Sequence, residues 1–179
     1  MEGENDMKYG YKGIWPQLHP SVFVADGVRL IGDVRIGEDS SLWFNAVLRG
    51  DLAPIRIGDR VNIQDQAVGH VNTDQPLIIE NDVSVGHSAI IHGCAIHRGA
   101  LIGMGAIVLN GASIGEYTLV GAGSVVTERA SLPPYTLCLG TPAKPVRELT
   151  EQDLERMKLT ADSYVQKGRE YSIEVQRDS

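Results

Sequence analysis

From Ile96 onward an aliphatic residue falls on every sixth position: Ile96, Ile102, Val108, Ile114, Val120 and Val126. Four residues after each stands a small or short one: Ala100, Ala106, Ala112, Thr118, Ser124 and Ala130. The same period runs upstream in shorter pieces, through Leu30, Ile36, Leu42 and Leu48, then Ile57 and Ile63, then Ile79, Val85 and Ile91. A helix needs apolar spacing near 3.6 and an amphipathic strand needs strict alternation; a sustained six satisfies neither alone. Short strands joined by turns satisfy it. Each hexad then supplies one wall, with the aliphatic residue inside and the small residue where two walls meet. Three hexads, about 18 residues, close one triangular coil, and stacked coils bury a continuous aliphatic column. The pattern predicts an all-β solenoid, a left-handed parallel β-helix of hexapeptide repeats.

The register slips at Leu52 to Pro54, at Val71 to Pro76, and by one residue near Ala95. Insertions in a solenoid map to loops on one face, often the functional one, and the second slip adjoins His70. After Ala130 the hexads give way to Leu132-Pro133-Pro134-Tyr135, and Pro142 and Pro145 keep the next segment extended. A C-terminal α-helix follows. Thr150 is its expected N-cap with Asp153 in the first turn, and Leu154, Met157, Ala161, Tyr164, Gly168 and Tyr171 form one stripe to lay on a solenoid wall. The expected division is an N-terminal segment 1–21, a β-helix 22–131, an extended connection 132–149, a helix 150–171 and a tail 172–179.

Composition changes this picture little. The chain has 20 glycines and only two phenylalanines, which suits thin, repetitive packing. A formal net charge of -7 without a Lys/Arg cluster argues against a nucleic-acid partner. No apolar run reaches the roughly 20 residues of a membrane span, and the acidic start Met1 to Asp6 lacks the regions of a secretory signal. A cytoplasmic protein is expected, with Cys94 and Cys138 reduced and buried as small hydrophobes.

Three of the five histidines carry the chemistry. His70 directly follows hexad position 69 and His92 directly follows Ile91, so they hold equivalent slots. Their separation of 22, less four extra residues between 69 and 79, is one coil, which stacks His92 on His70. His87 lies in the preceding wall and faces another side. Catalytic zinc takes three protein nitrogens and keeps a fourth position for water. A homotrimer reconciles the two demands, with His70 and His92 from one subunit and His87 from the next. An all-nitrogen set points to zinc, cobalt(II) or iron(II), and away from calcium. His19 and His97 fall outside this pattern and read as surface residues.

These residues sit within longer matches: Arg49-Gly50-Asp51, Asn62-Ile63-Gln64-Asp65 followed by His70, and Val85-Gly86-His87-Ser88-Ala89-Ile90-Ile91-His92-Gly93. From Val22 to about Tyr164 the chain resembles the gamma-class carbonic anhydrases, and most of all their short bacterial branch. The resemblance implies a metal held by His70, His87 and His92 across a trimer interface, and hydration of carbon dioxide to bicarbonate. It implies that Arg49 and Asp51 form a subunit-joining ion pair. It further implies that Gln64 hydrogen-bonds the metal-bound water, that Asn62 lies beside it, and that Tyr164 matches a C-terminal tyrosine near the metal. The founding archaeal enzyme of the family carries a glutamate where this chain has Leu52, and an acidic loop where this chain has only the short insert with Asp74. Asp74, or Asp65, is then the candidate for proton transfer.

Two other readings of the same residues stand beside this one. Hexad solenoids also host acyl-CoA-dependent acyltransferases, and Gly140-Thr141-Pro142-Ala143-Lys144-Pro145 resembles a segment common in them; there a single histidine serves as general base. A non-catalytic trimeric assembly subunit that keeps the metal as a clamp is the third.

Overall fold

The computed structural model describes residues 7–177. It is a parallel β-solenoid of about seven turns with a C-terminal helix. The acidic start and the final two residues of the expected tail lie outside the described residues. Strands stack at intervals set by the hexads: Leu101 pairs with Leu119 and Ile102 with Val120, 18 residues on.

Three walls result. The first contains Ser41–Leu42, Asn62–Ile63, Ser84–Val85, Leu101–Ile102 and Leu119–Val120. The second contains Val68–His70, Ile90–His92, Ile107–Val108 and Val125–Val126. The third contains Leu77–Ile79, Ala95–Ile96, Ser113–Ile114 and Ser131–Leu132. In the lower coils the strands Arg29–Ile36 and Val47–Ile57 run through the corner between second and third walls. The pairing shifts register there between Gly32 and Val34, which absorbs the Leu52–Pro54 insertion as a bulge.

One column of hexad aliphatics fills the interior, and Leu48, Ile63, Ile79, Val85, Ile91, Ile102 and Ile114 are fully or almost fully buried. Gly69 interrupts it, because a Cβ there would come 2.5 Å from Leu48 Cδ2. The lower end is closed by the N-terminal segment, whose Lys8–Tyr9 and Gln17–Leu18 pair with Arg29–Ile36. The stack therefore begins before residue 22. At the upper end Thr136–Gly140 continues the first wall and Ala143–Glu148 turns back against it antiparallel.

The helix runs over Glu151–Arg177, beyond the expected end at 171. Thr150 caps it: the Asp153 N–H donates to Thr150 Oγ1 at 3.2 Å. Met157, Ala161 and Val165 are buried. Lower down, Gly168 lets the helix approach Phe23 and Ser41, and Tyr164 and Tyr171 stand edge-on to Trp43, each with centroids 5.3 Å apart. The helix thus lies along the first wall of its own solenoid. Among the described residues no helix is long and apolar enough to cross a membrane.

Candidate metal centre

His70 and His92 end adjacent second-wall strands, in register with each other and, below them, with Arg49. Side chains alternate along a strand, so His70 shares the outward face with Val68, and His92 with Ile90. The two rings meet edge to face, with centroids 4.9 Å apart and His70 Nδ1 3.0 Å from His92 Nε2. His87 follows the first-wall strand Ser84–Val85 at the corner leading to the second wall. Among the described residues no three His, Cys, Asp or Glu side chains of one chain converge as metal ligands.

Each histidine has one nitrogen engaged by an oxygen. His70 Nε2 is 2.9 Å from Asp51 Oδ1, His92 Nδ1 is 2.6 Å from Asn110 Oδ1, and His87 Nδ1 is 2.7 Å from Asp65 Oδ2. An ionised carboxylate can only accept, so in the neutral ring His70 Nε2 donates to Asp51 and Nδ1 keeps its lone pair. With the Asn110 oxygen accepting, His92 Nε2 keeps its lone pair too. His70 Nδ1 and His92 Nε2 lie 3.0 Å apart; in the tautomer in which His92 Nδ1–H donates to the Asn110 oxygen, neither facing nitrogen carries a proton, an arrangement that a shared cation relieves. Two nitrogens bound to one tetrahedral zinc stand about 3.3–3.4 Å apart, a few tenths beyond the 3.0 Å here. The donor set fits zinc, cobalt(II) or iron(II), with the outer hydrogen bonds fixing tautomer and ring orientation.

The neighbouring expected residues divide. Asn62 and Gln64 are buried and joined: Gln64 Nε2 donates to Asn62 Oδ1 at 2.9 Å, and Asn62 Nδ2 to Ser84 Oγ at 2.7 Å. The His87 N–H donates to Gln64 Oε1 at 3.2 Å, so the amide pair braces the corner that carries His87. Asp51 pairs with Arg49 of the same chain, two residues away on one strand. Burial raises the Asp51 carboxyl, but the hydrogen bonds from His70 and Arg49 outweigh it and hold it below the usual range. Tyr164 packs with the Phe23, Ala25 and Trp43 cluster. Burial, then the nearby Asp65 charge, push its phenol up. Asp74 is exposed in the turn closed by the Asn72 and Gln75 bridge, directly after the His70 strand.

Asn110 has no counterpart among the residues singled out by motif. Its signal was available, since it lies 18 residues after His92. Both cysteines are free and buried, and burial pushes the Cys94 thiol up to about 12, which leaves it chemically quiet.

Residues 93–128 match the family model described as bacterial transferase hexapeptide (six repeats), which places the chain among hexapeptide-repeat proteins. The chain is 54% identical over 174 residues to a carbonic anhydrase of Geobacillus kaustophilus, covering 97% of this chain and 96% of that protein. It is 51% identical over 167 residues to the Bacillus subtilis protein named uncharacterized transferase YtoA, covering 93% and 98%. The crystal structure of a hexapeptide transferase family protein from Anaplasma phagocytophilum superposes with a TM-score of 0.90 at 35% identity, covering 93% of this chain and 99% of that one. With this fold, this extent of identity and these motifs, the chain belongs to the gamma-class carbonic anhydrase family of hexapeptide-repeat proteins.

Proposed function

We propose that this chain is a metal-dependent carbonic anhydrase that interconverts carbon dioxide and bicarbonate as a homotrimer. His70 and His92 of one subunit and His87 of the next would hold the metal at each of three interfaces. The observation that carries the reading is the in-register pair His70 and His92, whose Nδ1 and Nε2 face each other at 3.0 Å. His87 supports it: its Nδ1 stands 2.7 Å from Asp65 Oδ2, and its side chain is 43% exposed at the corner, open to a neighbour. A second support is the outward face of the second wall, where Val68 and Ile90 are exposed beside the histidines.

When bound, zinc, cobalt(II) or iron(II) supplies hydroxide from water at neutral pH. The chain's own residues then have defined work. Gln64, uncharged and braced by Asn62 and the His87 N–H, orients the nucleophile without opposing its charge. Arg49 and Asp51 are reinforced once the interface buries them; exposed, such a pair is worth under about 1 kcal/mol. Asp65 lies against His87, whereas Asp74 is exposed in the turn after the His70 strand and is the group proposed to pass the product proton to buffer. Tyr164, packed on Trp43, stands near enough to Asp65 to feel its charge. The reading places the protein in the cytoplasm, where its two free cysteines stay reduced.

The test is stopped-flow hydration of carbon dioxide on zinc-loaded, iron(II)-loaded and metal-free protein, with metal content counted per chain. We expect about one ion per chain in a trimer, faster hydration in a loaded form, and loss of the ion in His92→Ala. Equal rates in all three forms would reject catalysis and leave the metal as a clamp. Full occupancy in His92→Ala would reject the site. The transferase names of two relatives keep group transfer as the second reading; acetyl-CoA binding without bound metal would select an acyltransferase.

A further inference from the structure

The pair His70 and His92 is asymmetric in what secures it. His70 is fixed by a charged partner, Asp51, which can only accept a proton. His92 depends on a neutral amide, Asn110, 2.6 Å away across one coil. That amide has a donor end and an acceptor end. If its Nδ2 faced His92 Nδ1, the ring proton would sit on Nε2, where it would bridge to His70 Nδ1 and close the pair against a metal. With Oδ1 facing the ring, Nδ1 holds the proton and Nε2 is left open.

The local backbone is shaped for this contact. Gly93, in the left-handed region at φ 51°, stands beneath Asn110, and a Cβ there would come 2.7 Å from Asn110 Oδ1 and 3.1 Å from the Gln75 carbonyl oxygen. The missing side chain is the space through which the Asn110 amide reaches His92. The corner itself is pinned, with the Gly111 N–H donating to the Gly93 carbonyl at 2.7 Å and the Arg129 N–H to the Asn110 carbonyl at 2.9 Å. Asn110 is thus held from above and below, half-buried, with its side chain aimed at one ring.

We propose that Asn110 is a positioning residue that sets the tautomer of His92, and that its carbonyl oxygen is what keeps His92 Nε2 available as a metal ligand. The proposal rests on the three-histidine reading given above. Hydrogen-bond partners of metal-bound histidines commonly change affinity by about 10–100-fold when removed.

The test measures zinc affinity by competition with a chromophoric chelator in wild type, Asn110→Ala, Asn110→Asp and His92→Ala, with trimer mass and circular dichroism recorded for each. Asn110→Ala should bind zinc about 10–100-fold more weakly. Asn110→Asp, which keeps an acceptor, should bind within a few-fold of wild type. Imidazole nitrogen-15 shifts of the metal-free wild type should show His92 protonated on Nδ1, a readout independent of how well the variants fold. Unchanged affinity in Asn110→Ala, or a proton on Nε2, would overturn the proposal while loss of zinc in His92→Ala upheld the site. Zinc retained by His92→Ala would overturn both.

Discussion

Asp153 secures the start of the C-terminal helix. Its carboxylate accepts from the Thr150 N–H at 2.9 Å and pairs with Arg147 at 2.6 Å. These contacts, the Arg147 guanidinium first and Thr150 next, hold the carboxyl far below its ordinary range. Asp33 is held low in the same way by Arg56. A carboxyl whose pKa is depressed by folding contributes stability that is complete above its unfolded value, about 3.9, and is lost as pH falls through the folded one. The difference in thermal midpoint between wild type and Asp153→Asn should therefore be constant from about pH 8 to 5 and shrink only below the ordinary carboxylate range. A difference that instead grew on acidification would contradict the assignment. Calorimetry over a pH series measures it.

At the scale of the strand and corner, backbone approach sets the tolerances. Gly86 precedes His87, and a Cβ there would come 2.7 Å from the Met104 backbone nitrogen and 2.8 Å from the Ile102 carbonyl oxygen, neither of which can swing aside. Gly86→Ala should cost about 1–3 kcal/mol by overpacking and should weaken metal binding as the His87 corner shifts; denaturant midpoints and zinc titration read the two effects separately. The stacking of His70 and His92 is legible in the hexad register, because a six-residue period fixes which slots coincide one coil apart. The braced pair Asn62 and Gln64 was legible only through the family motif. Asn110 was not read, since in a turn an asparagine before glycine is fully explained by the turn, and only its reach across a coil reveals another partner. Lys8–Tyr9 and Gln17–Leu18 were missed because they pair with a coil without repeating its aliphatic period.

For the molecule as a whole, the three walls differ in what covers their outer faces. The helix covers the lower first wall, burying Ser41 and Asn62 beneath it. The third wall presents a mixed register, Arg35, Arg56, Ile78, Ala95, Ser113 and Ser131. The second presents Val47, Val68, Ile90, Ile107 and Val125 in one register, an aliphatic column with Val68 37% and Ile90 41% exposed. His70 and His92 stand two residues beyond Val68 and Ile90 on the same face, so whatever covers the column also reaches the histidines. In the proposed trimer that cover is the next subunit, arriving with His87. Replacing both Val68 and Ile90 by Glu places two like charges on neighbouring strands within that contact while leaving the interior column untouched. Sedimentation should then find monomers with an unchanged circular dichroism spectrum, and bound metal should fall in step with the trimer, because two histidines of one chain do not complete the ligand set. Leu159→Glu, on the helix at 60% exposure, should leave both assembly and metal content as they are. A double variant that stayed trimeric, or that became monomeric yet kept one ion per chain, would break the link between assembly and site on which the proposed chemistry depends.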